Sequence, residues 1–267
     1  MLIDAVGTVH APAVPGFRVV SLVPSITELL FALGLDAHVV GRTGFCIHPR
    51  DRVRALPKVG GTKDVDLDKL RALAPTHVIV NVDENRAPDV SAMRAFVPHV
   101  VVTHPNAPAD NLALYRLLGG LFGAQSQAAA LCTRLQAELD ACAAAHCAPE
   151  RALYLCWQDP WMTVAADTYI ARTLAAVGWT VPHPAGGFAG AARYPVIDLD
   201  VEVPRVDRVL LSSEPFPFTE RHAAELRARF PQVPVQLIDA EMTSWYGSRA
   251  IEGLARLRAL RGASASA

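Results

Sequence analysis

The sequence predicts an α/β protein of two similar lobes, each a parallel sheet flanked by helices, joined by one long helix, with a ligand cleft between the lobes. Three observations predict it. Short β-branched apolar runs alternate with helical segments, the order that gives parallel sheets covered by helices. At mid-chain, Gln125 to Ala145 is rich in Ala, Leu, Gln and Glu and holds neither Pro nor Gly; at 1.5 Å per residue it makes a helix about 30 Å long. The second half also repeats signals of the first. A strand, a proline turn and a helix closed by Gly34 are matched by a strand, a turn with Pro160 and a helix closed by Gly178. Pro75 to Val80 leading to Glu84 is matched by Pro204 to Leu211 leading to Glu214.

In chain order, Arg18 to Val23 is a strand that Pro24 ends. Ser25, three residues before Glu28, reads as a capping box opening a helix through Leu33, with Gly34 as its C′ glycine. His38 to Gly41 is the second strand. Leu67 to Leu73 is a helix stopped by Pro75, and His77 to Val80 is a strand. Asp89 to Phe96 is helical and Val100 to Val102 is a strand. Ala109 to Leu118 is a helix that Gly119 and Gly120 weaken. Past the long helix come a strand at Ala152 to Cys156 and a helix from Thr168 to Val177. The expected division is a flexible arm at 1–17, an N-terminal lobe at 18–123, the linking helix at 124–148 and a C-terminal lobe at 149–267.

Composition narrows the function classes. The 267 residues carry a formal net charge of -1, with 51% hydrophobic and 19% charged residues. That balance excludes a generally basic nucleic-acid binder and an acidic disordered chain. No stretch approaches the ~20 apolar residues of a membrane span, so no membrane insertion is expected. Met1 to Phe17 has no Lys or Arg, and Asp4, Gly7, His10, Pro12, Pro15 and Gly16 break any apolar core. It does not read as a signal peptide, which predicts a cytoplasmic address; a start upstream of Met1 would instead allow export to the periplasm. The five cysteines follow no disulfide framework and are expected to be reduced.

The loops after the strands carry the chemistry, and in open α/β sheets ligands sit at those strand ends. They hold Pro24-Ser25, Arg42 to Pro49 with Phe45, Gly60-Gly61-Thr62-Lys63, Asp83-Glu84-Asn85-Arg86, Trp157 to Trp161, Arg193-Tyr194-Pro195, Ser212 to Phe218 with Glu214, and Glu241 to Arg249 with Trp245 and Tyr246. Aromatic planes among a few placed charges suit a large, flat, partly polar small-molecule ligand. Cys46 and His48 supply two donors toward a metal ion, with His104 and His183 as remoter candidates, short of the three or four ligands zinc needs. The Gly60 to Lys63 run lacks the first glycine of a phosphate loop. Glu84, Glu214 and Lys63 would serve acid–base chemistry if they share one cleft; otherwise they are capping or locally paired charges.

The run Arg18-Val-Val-Ser-Leu-Val-Pro-Ser-Ile-Thr-Glu-Leu-Leu-Phe-Ala-Leu-Gly-Leu35 resembles the opening of the solute-binding proteins of vitamin B12 and iron-siderophore ABC uptake systems. Val59-Gly60-Gly61-Thr62 followed by Asp66 to Pro75, the mid-chain helix, Trp161-Met-Thr-Val164 and Arg193-Tyr194-Pro195 extend the resemblance over about residues 18–262, with the B12-binding branch nearest. The resemblance implies two Rossmann-like lobes on one backbone helix and a corrinoid or other metal chelate held as ligand, with no permanent cofactor and no catalysis. It implies a ligand site of Pro24, Ser25, Phe45, Lys63, Glu84, Trp161, Arg193, Tyr194, Trp245 and Tyr246, to which the strand-end loops add Arg86 and Glu214 as candidates. It also implies docking to an ABC permease, if the protein is exported, through one carboxylate per lobe; Asp68 and Asp200 occupy about those positions. Two other readings stay open: an enzyme using Glu84, Glu214 and Lys63, and a metal-ion receptor using Cys46 and His48.

Overall fold

The β-branched runs become central strands because both of their faces are covered. In the computed structural model, which describes residues 1–145, 147–185 and 193–265, the chain divides into two units. Unit 1 is Met1–Pro105, Ala109–Gln136 and Tyr246–Arg249; unit 2 is Asn106–Pro108, Ala137–Trp245 and Ala250–Ala267.

Unit 1 begins with a hairpin, β1 (Leu2–Ile3) and β2 (Val9–His10). Then come β3 (Val19–Ser21), α1 (Pro24–Ala32), β4 (Val39–Arg42), α2 (Arg50–Val53), α3 (Leu67–Ala72), β5 (His77–Asn81), α4 (Ala87–Met93), β6 (His99–Thr103), α5 (Asn111–Leu121) and α6 (Gln125–Ala144). The division of the chain falls inside α6. The four main strands form a wholly parallel sheet in the order β4-β3-β5-β6. Every residue of β5 is buried, and Val20, Leu22, Val78, Val80, Val100 and Val102 pack with Leu70 and Met93.

Unit 2 contains β7 (Glu150–Leu155), α7 (Tyr169–Ala176), β8 (Trp179–Thr180), α8 (Leu199–Glu202), β9 (Arg208–Ser212), α9 (Glu220–Arg229), β10 (Val235–Ile238), α10 (Ala240–Ser244) and most of α11 (Arg249–Ala265). Its sheet is also parallel, ordered β10-β9-β7-β8. Counted from the first strand of each sheet, both units have the order 2-1-3-4. The internal repetition in the sequence is therefore a repetition of topology. At the base of this sheet, Glu150 accepts from Trp179 Nε1 (3.0 Å), Arg208 Nε (2.9 Å) and Arg261 Nη1 (3.2 Å). Arg261 in turn ties α11 to the Ala148 carbonyl.

Several local expectations hold and several do not. Gly34 has φ +74°, and the Gly34 and Leu35 amides bond the Phe31 and Leu30 carbonyls at 3.0 Å each. That is the Schellman ending of α1. The capping box at its start does not form. The helix begins at Pro24 behind Val23 as N-cap, which puts Ser25 inside the first turn. Glu28 turns instead to Arg249, with bonds of 2.7 and 2.9 Å.

Gly119 and Gly120 do not weaken α5, which runs through them to Leu121. A Cβ on Gly119 would lie 2.4 Å from Ala128 Cβ, and one on Gly120 would lie 2.6 Å from Leu2 Cδ2. The glycines admit α6 and the N-terminal hairpin. Residues 1–17, expected as a loose arm, are anchored by a buried carboxylate. Asp4 accepts from the Val6 and Thr8 amides, pairs with His10 at 3.1 Å and bonds the Val102 amide of β6 at 3.1 Å. These backbone bonds hold its carboxyl below the usual range, against the opposing effect of burial.

Gly119→Ala should destabilise the protein by about 1–3 kcal/mol through overpacking. Gly262→Ala, where an added Cβ meets nothing within 4 Å on an exposed turn of α11, should stabilise it by roughly 0.5–1 kcal/mol. Urea midpoints of the two variants check both signs.

Candidate functional site

In a sheet of order 2-1-3-4, the direction of winding reverses between the first and third strands, and ligands bind in the crevice at the carboxyl ends there. In unit 1 that point lies between β3 and β5. In unit 2 it lies between β7 and β9.

The unit 1 switch point is organised by Asn85, which sequence reasoning placed in a loop without a role. Its Oδ1 accepts from the Asn81 amide at 2.8 Å. Its Nδ2 donates to the Leu22 carbonyl at 3.3 Å and the Thr62 carbonyl at 3.0 Å. One buried amide thus joins the loops after β3 and β5 and the turn at residues 60–63. Asn81 Oδ1 caps the Asp83 amide at 2.8 Å, and Lys63 Nζ donates to the Asp83 carbonyl at 2.6 Å. His104 Nε2 lies 3.4 Å from Asp83 Oδ2. An amide side chain directly after an apolar strand is the signal that would have found Asn81 and Asn85.

Glu84 stands at this point, half-buried, and its carboxyl accepts from the Tyr246 hydroxyl. Burial raises its pKa above the usual carboxylate range; Tyr246 and Lys63 pull it down by less, and Asp83 adds to the rise. Tyr246 is pushed well above its ordinary value, by burial first and by the neighbouring Glu84. It donates its hydroxyl proton to Glu84. The segment Tyr246–Arg249, expected in the C-terminal lobe, groups with unit 1. Asn111 Oδ1 accepts the Gly247 amide at 2.6 Å, Tyr115 donates to the Gly247 carbonyl at 2.8 Å, and Arg249 holds Glu28. Asn111 and Tyr115 are two further positioning residues without a local sequence signal, since their partners are more than 130 positions away.

In unit 2, Trp157 pairs across a short turn with Met162, which pairs with Val196. The Ala165 amide bonds the Arg193 carbonyl at 2.8 Å, and the Thr163 amide bonds the Pro195 carbonyl at 3.1 Å. These bonds set Arg193-Tyr194-Pro195 against the loop after β7. Arg193 Nη2 donates to Asn106 Oδ1 at 3.1 Å. Trp161 is half-buried against the unit 2 core and stacks on Phe218, with centroids 5.9 Å apart and planes at 5°. Below the switch point, Tyr154 bonds Ser212 at 2.7 Å and Thr243 at 3.0 Å, and burial pushes its hydroxyl up to about 12.

The predicted ligand residues thus separate into three groups. Phe45 (63% exposed), Tyr194 (46%), Lys63, Arg86 and Glu214 are exposed. Pro24, Glu84, Trp161 and Arg193 are half-buried, and Ser25, Trp245 and Tyr246 are buried. Trp157, not singled out from the sequence, is 38% exposed and meets Phe216 edge-on at 5.8 Å. Glu84 and Glu214 belong to different units. Arg86 is the N-cap of α4 and does not pair with Glu84.

The two predicted metal donors are not alike. Cys46 is fully buried; its sulfur meets Thr27 Oγ1 at 3.0 Å and Thr43 Oγ1 at 3.2 Å. Burial pushes its thiol up, away from the thiolate a metal requires. His48 is half-buried before Pro49. Among the described residues no group of three or more His, Cys, Asp or Glu could hold a metal ion. Asp68 is exposed in the first turn of α3. Asp200 is exposed on α8 and pairs with Arg229 at 2.7 Å. Among the described residues no helix is long and apolar enough to cross a membrane.

A family model described as periplasmic binding protein matches residues 19–183. A sequence search of curated proteins finds no match. Among solved structures, the periplasmic vitamin B12 binding protein BtuF of Vibrio cholerae aligns with a TM-score of 0.77 at 17% identity, covering 94% of this chain and 98% of that one. The periplasmic heme-binding protein RhuT from Roseiflexus sp. RS-1 aligns with a TM-score of 0.72 at 22% identity, covering 92% and 97%. The heme-binding protein BhuT, solved with two hemes, aligns at 0.75 and 22%, covering 94% and 99%. At these identities the likeness establishes the fold.

Glu84 yields a signed pH prediction. Its folded pKa is raised, so the carboxyl's relative stabilisation is complete below the unfolded value and is lost as pH rises through the folded one. Glu84→Gln, which keeps an acceptor for Tyr246, should therefore raise the melting temperature at pH 8. The gain should vanish by about pH 4, below the ordinary glutamate value. A gain independent of pH would contradict a buried, desolvated carboxylate.

Proposed function

The chain belongs to the periplasmic binding protein family, and on that premise we propose that it is a solute receptor for a planar metal chelate, a corrinoid such as cobalamin first and heme second. The observation that carries this reading is the exposed aromatic set on the strand-end loops: Phe45 in unit 1, Trp157 and Tyr194 in unit 2. Exposed aromatic planes at the carboxyl ends of parallel strands suit a large flat ligand. Lys63 in unit 1 and Arg193 in unit 2 are the proposed donors to its polar rim. Cys46 is withheld from axial ligation, and a corrinoid that carries its own axial base needs none from the protein. The B12 and heme ligands of the structural neighbours support the same class. The chelate is cargo in this reading, not a resident cofactor.

Titration with cobalamin, cobinamide and hemin should show saturable spectral change with a Kd below ~100 µM, about 5.5 kcal/mol. Phe45→Ala and Tyr194→Ala should each weaken it by about 1–2 kcal/mol, roughly 5- to 30-fold. Absence of binding to all three would sink the reading.

Glu84, held neutral more readily than an ordinary glutamate and bonded to Tyr246, favours acid–base chemistry as a second reading. Turnover of a bound chelate that is lost in Glu84→Gln would establish it, and an unchanged ligand recovered after prolonged incubation would remove it.

As a family member, the protein is proposed to reside in the periplasm, in place of the cytoplasmic address expected from residues 1–17, and to deliver its ligand to an ABC permease. Asp68 and Asp200 are the proposed docking carboxylates. Cell fractionation tests the address. Ligand uptake by cells carrying Asp68→Arg and Asp200→Arg tests the docking, and undiminished uptake would exclude these residues.

A further inference from the structure

The segment between β4 and α3 forms an open surface pocket of about 340 Å³, lined by Arg42, Cys46, Ile47, Arg50, Arg54 and Lys58 among others. Four cations line it and no acid does. Its volume lies in the ~300–1,000 Å³ range of small-molecule sites. All of its lining residues belong to unit 1.

Arg42 is the central observation. It is 4% exposed, yet no carboxylate faces it. Its Nε donates to the Val53 carbonyl at 2.7 Å, and its Nη1 donates to the Thr43 and Cys46 carbonyls at 3.0 and 3.1 Å. These bonds fix the guanidinium plane and leave Nη2 without a protein partner among the described residues. A buried guanidinium is ordinarily paired with an anion. The other buried arginine among the described residues, Arg261 (5% exposed), behaves that way and meets Glu150 at 3.2 Å. Around the pocket, Arg50, Arg54 and Lys58 are exposed, and none has an ion pair among the described residues. Asp51, the one acid between Arg42 and Lys58, is not in the lining.

We infer that this pocket binds a small molecule bearing a diphosphate group, with Arg42 as the fixed donor and Arg50, Arg54 and Lys58 closing on the outer oxygens. Guanidinium forks match phosphate oxygens in pairs. Four positive charges within one pocket call for more than a single negative charge. The exposed side chain of Ile47, in the same lining, offers an apolar contact to the group that the diphosphate carries. The inference stands apart from the chelate reading and holds whether or not that reading does.

The test is calorimetric titration with pyrophosphate, inorganic phosphate and citrate. Arg42→Gln removes the donor that holds the loop's own carbonyls and tests folding as much as binding, so the exposed arginines carry the experiment. Pyrophosphate should bind saturably with a Kd below ~1 mM at low salt and weaken as salt is raised. The double variant Arg50→Gln, Arg54→Gln should weaken it at least ~10-fold, while the exposed single-charge control Arg94→Gln should not. Line broadening of the pyrophosphate ³¹P signal gives an independent readout. No saturable pyrophosphate binding, equal binding by the double variant, or equal affinity for citrate or inorganic phosphate would each overturn it.

Discussion

One buried amide holds the unit 1 strand ends in register. Asn85 accepts from Asn81 and donates to Leu22 and Thr62, so three loops from separate parts of the chain share a single side chain. Each bond contributes only about 1 kcal/mol net. Losing the side chain costs more, because the buried Asn81 amide and the buried Leu22 carbonyl would each lose this partner. The positions of Glu84, Lys63 and Asp83 follow from that staple.

Two ionisable groups in unit 1, the half-buried Glu84 and the buried Arg42, are handled in opposite ways. Glu84 is partnered by a neutral donor, Tyr246, and its carboxyl is shifted toward the uncharged form. Arg42 is surrounded by carbonyls, and a guanidinium cannot shed its proton. The first conflict is eased because burial shifts Glu84 toward its neutral form; the second is met within the protein by the carbonyls of Val53, Thr43 and Cys46. Glu84 follows the interior strand β5, and Arg42 ends the edge strand β4.

The legible part of the site was its chemistry by loop. Phe45 and Glu84 could be read as strand-end residues because each closely follows a short apolar run. The illegible part was orientation. Trp161 and Trp157 lie on one short turn, yet the first stacks into the core on Phe218 while the second stays exposed. Cys46 and His48 have metal-like spacing, but the thiol points to Thr27 and Thr43. Ser25 and Glu28 have capping-box spacing, but Pro24 starts the helix early and Arg249 captures the glutamate.

By itself the sequence determined the α/β class, the twofold repetition, the glycine ends of α1 and α7, and the family, because these rest on local periodicity, backbone sterics and contiguous motifs. Only the tertiary structure decided that Tyr246–Arg249 belongs with unit 1, that Gly119 and Gly120 mark a close approach rather than a break, and that residues 1–17 are anchored by Asp4. Each of these depends on partners far apart in the chain, such as Gly247 with Asn111 and Asp4 with Val102. A hydrogen bond or a steric contact between such residues leaves no periodicity for a single sequence to display.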